Sequence, residues 1–306
     1  MAGFRQVIRN DLNLPFMKYR YVCGLISSLL VLGSIYLWVS SGQSKYGIDF
    51  VGGSELVVRL DKPLAVEEIR KTANEIGGDG AIVQEFQGTS NEFSIRLSSG
   101  QSSDTGKRVR EALEKKSSGS VQVVKEDFVG PVIGEQIRRD GVQALAFGLI
   151  GILIYIAIRF EWRFALGAVL AVFHDVIITA GIYLFSGKPI SSSFLAAILT
   201  VIGYSVNDSI VVFDRVRENL TKQYKSSGKG SSRNDLLKLL DDSINQTLSR
   251  TMLTVLTTLF SILALWLIAT GDVSDLAYAL LIGVVVGTYS SVFIACYLVY
   301  AFERGK

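Results

Sequence analysis

Six apolar stretches dominate this chain, each long enough to cross a bilayer, at residues 21–40, 142–158, 164–186, 192–213, 251–270 and 276–300. A helix needs about 17–25 apolar residues to span roughly 30 Å of hydrocarbon, and inside lipid every backbone polar group must find its partner within the segment. These stretches therefore read as transmembrane helices. Of the 306 residues 49% are hydrophobic and only 19% charged, and the charges collect between the apolar runs. The composition is that of a polytopic membrane protein with a water-exposed part.

Lysines and arginines in short loops set the expected orientation. With the N-terminus inside, the inner segments hold Arg5, Arg9, Lys18 and Arg20, then Arg159 and Arg163. They also hold the basic residues of 214–250 and finally Arg304 and Lys306. The short outer loops hold only Lys188. Residues 1–20, 214–250 and 301–306 are thus expected in the cytoplasm, and 41–141 outside it. The first apolar run is long for a signal-peptide core and is read as an uncleaved span. Lys225 to Ser232 is a flexible Gly/Ser-rich piece, and Asn234–Ile244 has the pattern of a short amphipathic helix on the inner leaflet.

Segment 41–141 reads as a domain of its own. Ser54–Leu60 alternates and is rich in β-branched residues, so it predicts a strand. Leu64–Ile76 has helical spacing and stops at Gly77-Gly78. Ala81–Gln87 and Glu92–Leu97 predict two strands around the turn Gly88-Thr89-Ser90-Asn91. Asp104–Lys116 predicts a charged amphipathic helix, and Val121–Phe128 a last strand. The order β-α-β-β-α-β is that of an α+β ferredoxin-like domain. It carries no phosphate loop or metal motif, and a binding or scaffold role is expected. The two cysteines, Cys23 and Cys296, lie in apolar runs, and the chain has one histidine. Disulfide frameworks, zinc and haem are not expected. The net charge of +3 is too small to argue for nucleic acid.

The polar residues inside the spans carry the functional signal. An aspartate at the centre of a membrane helix costs about 2.5–3.5 kcal/mol on insertion scales, and such groups face the protein interior or a hydrated path. The fourth span carries Asn207 and Asp208, and helical spacing puts Thr200, Tyr204 and Asp208 on one stripe. The third span carries His174 and Asp175, with Thr179 one turn on from Asp175. Burial disfavours a charged carboxyl and a nearby cation favours it. A carboxyl between those influences can load and release a proton. Arg250, at the head of the fifth span, is placed to reach toward Asp208. The His174–Asp175 pair reads equally as a proton site or as a polar clamp between helices. Ala279, Gly283, Gly287 and Ser291 recur every four residues in the sixth span and read as a helix-packing ladder.

Six motifs then point to one family. They are GIDFVGG (47–53), VGPVIG (129–134), RFEWRFALGAVLAVFHDVIIT (159–179), VIGYSVNDSIVVFDRVREN (201–219), NQTLSRT (245–251) and LIGVVVGTYSSVFIA (281–295). Together they resemble the SecF family, the smaller membrane subunit of the SecDF protein-export complex within the RND superfamily. The resemblance covers nearly the whole chain. It implies half of an RND-type bundle, a heterodimer with SecD, association with the SecYEG channel and with YajC- and YidC-type proteins, and contact with unfolded exported polypeptide and with lipid. It implies use of the proton-motive force in late steps of export across the inner membrane of a bacterium, with no cofactor beyond the coupling proton and no enzymatic activity. It places Asp208 and Arg250 in the proton pathway, with Asn207 and Tyr204 beside them. Family members often carry Thr where this chain has Val51.

Three other readings compete on residues alone. An intramembrane aspartyl protease needs paired carboxylates sharing a proton, in contexts unlike Tyr-Ser-Val-Asn-Asp. A complete RND-type exporter of small molecules or lipids needs about twice as many spans. A passive assembly factor would not need the Asp208 carboxyl.

Overall fold

The computed structural model describes residues 13–42, 45–77, 80–85, 91–97, 105–117, 119–227 and 233–302. The chain divides into two compact units. One comprises Met1–Ser40, Leu145–Ser186 and Ala196–Lys306, and the other Ser41–Ala144 and Gly187–Leu195. We call them the bundle and the sheet domain.

The sheet domain contains strands β1 (Gly53–Leu60), β2 (Ile82–Glu85), β3 (Glu92–Leu97) and β4 (Val121–Val129), with helices α3 (Val66–Gly77) and α4 (Thr105–Ser117). The spatial order is β2-β3-β1-β4 and every neighbouring pair is antiparallel. That order, with a helix after β1 and after β3, is the ferredoxin-like arrangement expected from the sequence. Alternation explains the core. Leu56, Val58 and Leu60 of β1 and Phe93, Ile95 and Leu97 of β3 share a cluster with Ile69 and Ala73 of α3 and Val109 and Leu113 of α4. The alternate residues pair through polar bonds: Ser94 Oγ donates to Glu55 at 2.7 Å, and Arg59 reaches Glu92 at 3.0 Å. Each predicted strand and helix is present within two residues where described. Residues 86–90, holding most of the expected β2–β3 turn, lie outside the described residues, as do 228–232 of the Gly/Ser-rich piece.

The GIDFVGG motif forms the short helix α2 (Ile48–Val51) and two turn glycines. Gly52 and Gly53 have φ of +78° and +133°. A Cβ on Gly52 would come within 2.9 Å of Pro131 Cα, and one on Gly53 would run into the Leu97 carbonyl oxygen. Only glycine fits both the dihedral and the space. Asp49 of the same motif accepts the Ser192 backbone N–H at 2.8 Å, at a helix N-terminus where a carboxylate is favoured. The Gly47 N–H donates to Ile190 O and the Ile190 N–H to Lys45 O.

Six helices among the described residues are long and apolar enough to span a membrane: Phe16–Ser40, Pro131–Arg159, Trp162–Phe185, Ser192–Lys225, Asn234–Ile268 and Gly271–Phe302. In element terms these are α1 (Arg20–Ser40) with a preceding 3-10 turn, α5 (Pro131–Arg159), α6 (Trp162–Phe185), α7 (Ser192–Ser227) and α8 (Arg233–Ile268). The sixth is α9 (Gly271–Ser290), a π-helical turn (Ser291–Ala295) and α10 (Cys296–Phe302).

The helices outrun the expected spans. α5 starts at Pro131, a residue suited to the first turn of a helix, rather than at 142. The segment 214–250, expected as a loop, is mostly the end of α7 and the start of α8. The helix expected over Asn234–Ile244 is therefore not a separate surface element. No proline or glycine interrupts 233–268, and Leu236, Leu240, Ile244 and Leu248 keep one buried face. These extensions pair through Asn219, whose amide donates to Ser243 Oγ at 2.9 Å and Gln246 Oε1 at 3.1 Å. Asn245 exchanges two 3.0 Å bonds with the Leu14 backbone, and Asp241 accepts the Met17 N–H.

Candidate functional site

α6, α7 and α9 form the interior of the bundle. Their most apolar windows are 50–61% buried, against 6–11% for α1, α5 and α8. Close approach comes from the small-residue ladder of α9. A Cβ on Gly283 would overlap the Val201 side chain, and one on Gly287 would sit 3.2 Å from Ser205 Cβ and 3.6 Å from Asp175 Oδ2. Ala279 is fully buried. Gly283 and Gly287 leave little room for a side chain against α7, and this close approach lies beside the two buried carboxyl groups.

Asp208 of α7 is 6% exposed. Its Oδ2 accepts the Ser291 hydroxyl at 2.6 Å. Ser291 was expected to be a packing residue; it is instead the hydrogen-bond partner of Asp208, and it opens the π-helical turn. Such turns occur often at functional sites, because the extra residue redirects the side chains around it. Thr251 of α8, 2% exposed, brings its hydroxyl beside the same carboxyl without closing a well-formed hydrogen bond. Tyr204, one turn before Asp208, packs on the cluster of Val255, Ile262, Ala277 and Val284, with its hydroxyl toward Thr254 and Thr258.

Asp175 of α6 is fully buried and has three hydrogen-bond partners. Ser205 of α7 and Ser290 of α9 donate to Oδ2 at 2.5 and 2.7 Å, and His174 Nδ1 lies 2.9 Å from Oδ1. His174 is 8% exposed, and its ring stacks on Tyr289 with centroids 6.4 Å apart. The Tyr289 hydroxyl donates to Cys23 O at 2.9 Å and lies 3.2 Å from Ser27 Oγ. Thr179 is buried beside this network with an unpartnered hydroxyl.

Other expected members fall elsewhere. Asn207 is exposed, because successive helical residues point about 100° apart and Asp208 takes the inner face. Thr200 is also exposed and bonds back to Ala196 O. Ala196, Thr200, Gly203 and Asn207 make one exposed stripe of small and polar residues along α7. Arg250 is exposed, and among the described residues its side chain makes no hydrogen bond or ion pair. The residue that α8 turns toward Asp208 is its neighbour, Thr251. Ser205, Ser290 and Thr251 were not anticipated, because serine and threonine are common in membrane helices and only the fold shows which ones meet a carboxyl.

Each of the two serines has an alternative acceptor. Ser290 Oγ lies 3.1 Å from Gly287 O, and Ser291 Oγ 3.0 Å from Thr288 O. An ionised carboxylate draws the hydroxyl proton toward itself; a protonated one can donate in return and release the serine to its backbone carbonyl. Ser290 and Ser291 thus each have a carboxyl and a backbone carbonyl within reach.

Comparison with known proteins gives one consistent result. A family model described as protein export membrane protein SecD/SecF, C-terminal, matches residues 108–305, and one described as the SecD/SecF GG motif matches 45–64. The protein translocase subunit SecF of Vibrio alginolyticus is 38% identical over 95% of this chain and 90% of its own length. That of Rickettsia bellii is 36% identical over 98% and 97%. The crystal structure of SecDF, a translocon-associated membrane protein from Thermus thermophilus, superposes with a TM-score of 0.83 at 36% identity. It covers 98% of this chain, which in turn spans only 40% of that one.

Proposed function

The chain belongs to the SecF family of protein-export membrane proteins, and from that premise we propose that it works as half of a proton-driven export motor with Asp208 at its coupling site. It is a multi-pass protein of a bacterial membrane. In the proposed assembly a SecD-type subunit completes the bundle, and the pair acts late in export through a SecYEG-type channel on unfolded polypeptide. YajC- and YidC-type proteins are further partners. Both termini face the cytoplasm and the sheet domain lies on the far side. The coupling species is the proton, no other cofactor takes part, and the chain performs no covalent catalysis.

The observation that carries this reading is Asp208 itself. It is an acidic group buried in a membrane bundle, held by a serine of a π-helical turn that has a second acceptor within reach. The exposed α7 stripe and the exposed Arg250 support a partner that covers these residues. The longer SecDF relative supports the same point. Arg250 then meets the proton pathway from the partner-facing side, alongside Asn207 and Tyr204.

The test uses membranes in which the chain is co-produced with its SecD-type partner, and measures export of a reporter with and without a proton gradient. Asp208→Asn and Arg250→Ala should each abolish the gradient-dependent stimulation while insertion and co-purification with the partner persist. Unimpaired stimulation in either variant removes that residue from the pathway.

A further inference from the structure

We propose that His174 and Asp175 form a second proton-binding site, which takes its proton on His174 Nε2 and is coupled to Asp208 through the neighbouring serines 290 and 291. The site itself stands on the geometry below; only the use of its proton in transport rests on the function proposed above.

With Asp175 ionised, the imidazole 2.9 Å away donates its Nδ1–H to Asp175 Oδ1. In the neutral ring the free lone pair then sits on Nε2. That atom is buried and has no hydrogen-bond partner among the described residues. A histidine that serves only to clamp helices is expected to have both nitrogens satisfied, because an unpaired buried polar atom costs free energy. Here one side of the ring is fixed and the other is vacant.

Charge points the same way. Besides His174, Asp175 is bonded only by the neutral hydroxyls of Ser205 and Ser290 among the described residues. An ionised carboxylate with only these donors would be a net charge sealed inside the bundle, which is costly. A proton added to Nε2 makes an imidazolium against the carboxylate, and the pair becomes neutral overall. Loading forms one N–H bond with a proton from water, and release breaks it; no other reactant is needed.

The titratable groups turned toward the pair are Tyr289 of α9, Cys23 of α1 behind that ring, and Asp208 of α7 across the serines. Cys296 of α10 lies behind Ser291, with its thiol 3.5 Å from the Ser291 carbonyl. No lysine or arginine side chain is bonded to the pair among the described residues.

Coupling follows from adjacency. Ser290 donates to Asp175 and Ser291 to Asp208, and the two are consecutive where α9 meets the π-helical turn. A proton on His174 weakens the hold of the Asp175 carboxylate on Ser290, a proton on Asp208 changes what Ser291 bonds to, and because the two serines are consecutive a shift at one is passed to the other.

His174 is the only histidine in the chain, so it can be read without mutation. The full chain, labelled with 15N-histidine and co-purified with its unlabelled partner into lipid nanodiscs, would be followed by 15N NMR from about pH 5 to about pH 9. The proposal expects Nδ1 to carry a proton throughout and Nε2 to gain one as pH falls. Asp175→Asn should remove the transition. Asp208→Asn should change its midpoint by about one pH unit, the size of a charge interaction across a partly screened interior. Ser290→Ala combined with Ser291→Ala should shrink that change to its through-space part, and a change that this double variant leaves at full size overturns the serine route. An Nε2 without a proton across the whole range overturns the site, and a midpoint indifferent to Asp208→Asn overturns the coupling. A silent His174 beside an Asp208→Asn variant that has lost stimulation would leave the motor standing and remove this site. A titrating His174 beside an unimpaired Asp208→Asn variant would do the reverse.

Discussion

The two interiors of this molecule are built on opposite rules. The core of the sheet domain is Leu56, Val58, Ile69, Ile95, Val109, Leu113 and their neighbours, and its polar pairs lie on the alternate residues of the strands. The interior of the bundle holds Asp175, Asp208, His174, Ser205, Ser290 and Ser291, none more than 8% exposed. In water, burying apolar surface drives folding, so the sheet domain spends its large side chains inside. In lipid the surroundings are as apolar as leucine, and helices associate through close packing and hydrogen bonds instead. The bundle accordingly has glycines at its contacts and large apolar residues such as Leu29, Leu32, Phe147 and Ile268 on its outside. The proposed coupling site lies in the interior where polar groups are admitted.

The strongest attack on this contrast is Ile69→Ala. Ile69 is fully buried, and its truncation should destabilise the sheet domain by about 2–5 kcal/mol. Hydrogen exchange at the β1 and β3 amides should rise while the amides of α6 and α9 stay protected. Gly53→Ala comes next, at about 3 kcal/mol, because a left-handed dihedral and a carbonyl both oppose the new methyl group. Limited proteolysis within 41–144 reports it. Gly283→Ala should cost about 1–3 kcal/mol by forcing α9 off Val201, read as a lower melting temperature of the purified complex. Smallest is Ser290→Ala, at about 0.6 kcal/mol in stability. A loss as large as that of Ile69→Ala would show that the bundle's polar bonds are mainly structural. The expected signature is a barely changed melting temperature with an altered pH profile of proton-driven export.

Periodicity and turn residues made the architecture legible. Alternation in Ser54–Leu60 and the stop at Gly77 found the sheet domain, since each signal is local. Helix length was not legible from hydropathy, because α7 and α8 continue as polar-faced helices held by each other through Asn219 and Ser243. The two aspartates stood out because a carboxyl in an apolar run is costly wherever it points. Their partners did not. Ser291 looked like one more rung of a small-residue ladder, and Asn207 looked like a companion of Asp208, until the rotation of α7 sent it outward. Arg250 next to Thr251 shows the same limit: sequence places a residue at a depth, and a single step along the helix decides what it faces.

The π-helical turn at Ser291–Ala295 has a consequence for the stretch that follows it. It winds one more residue into a loop of the helix than the segments above and below it do. α10 therefore meets its neighbours in a phase that a regular helix of the same sequence would miss by about 100°. With that offset Tyr300 lies 5.6 Å from the Arg20 guanidinium and Tyr297 meets Tyr21. Straightening the turn would have to unscrew α10 from the first helix, so the coil acts as a phase lock between the serines that hold the two carboxyls and the foot of that helix.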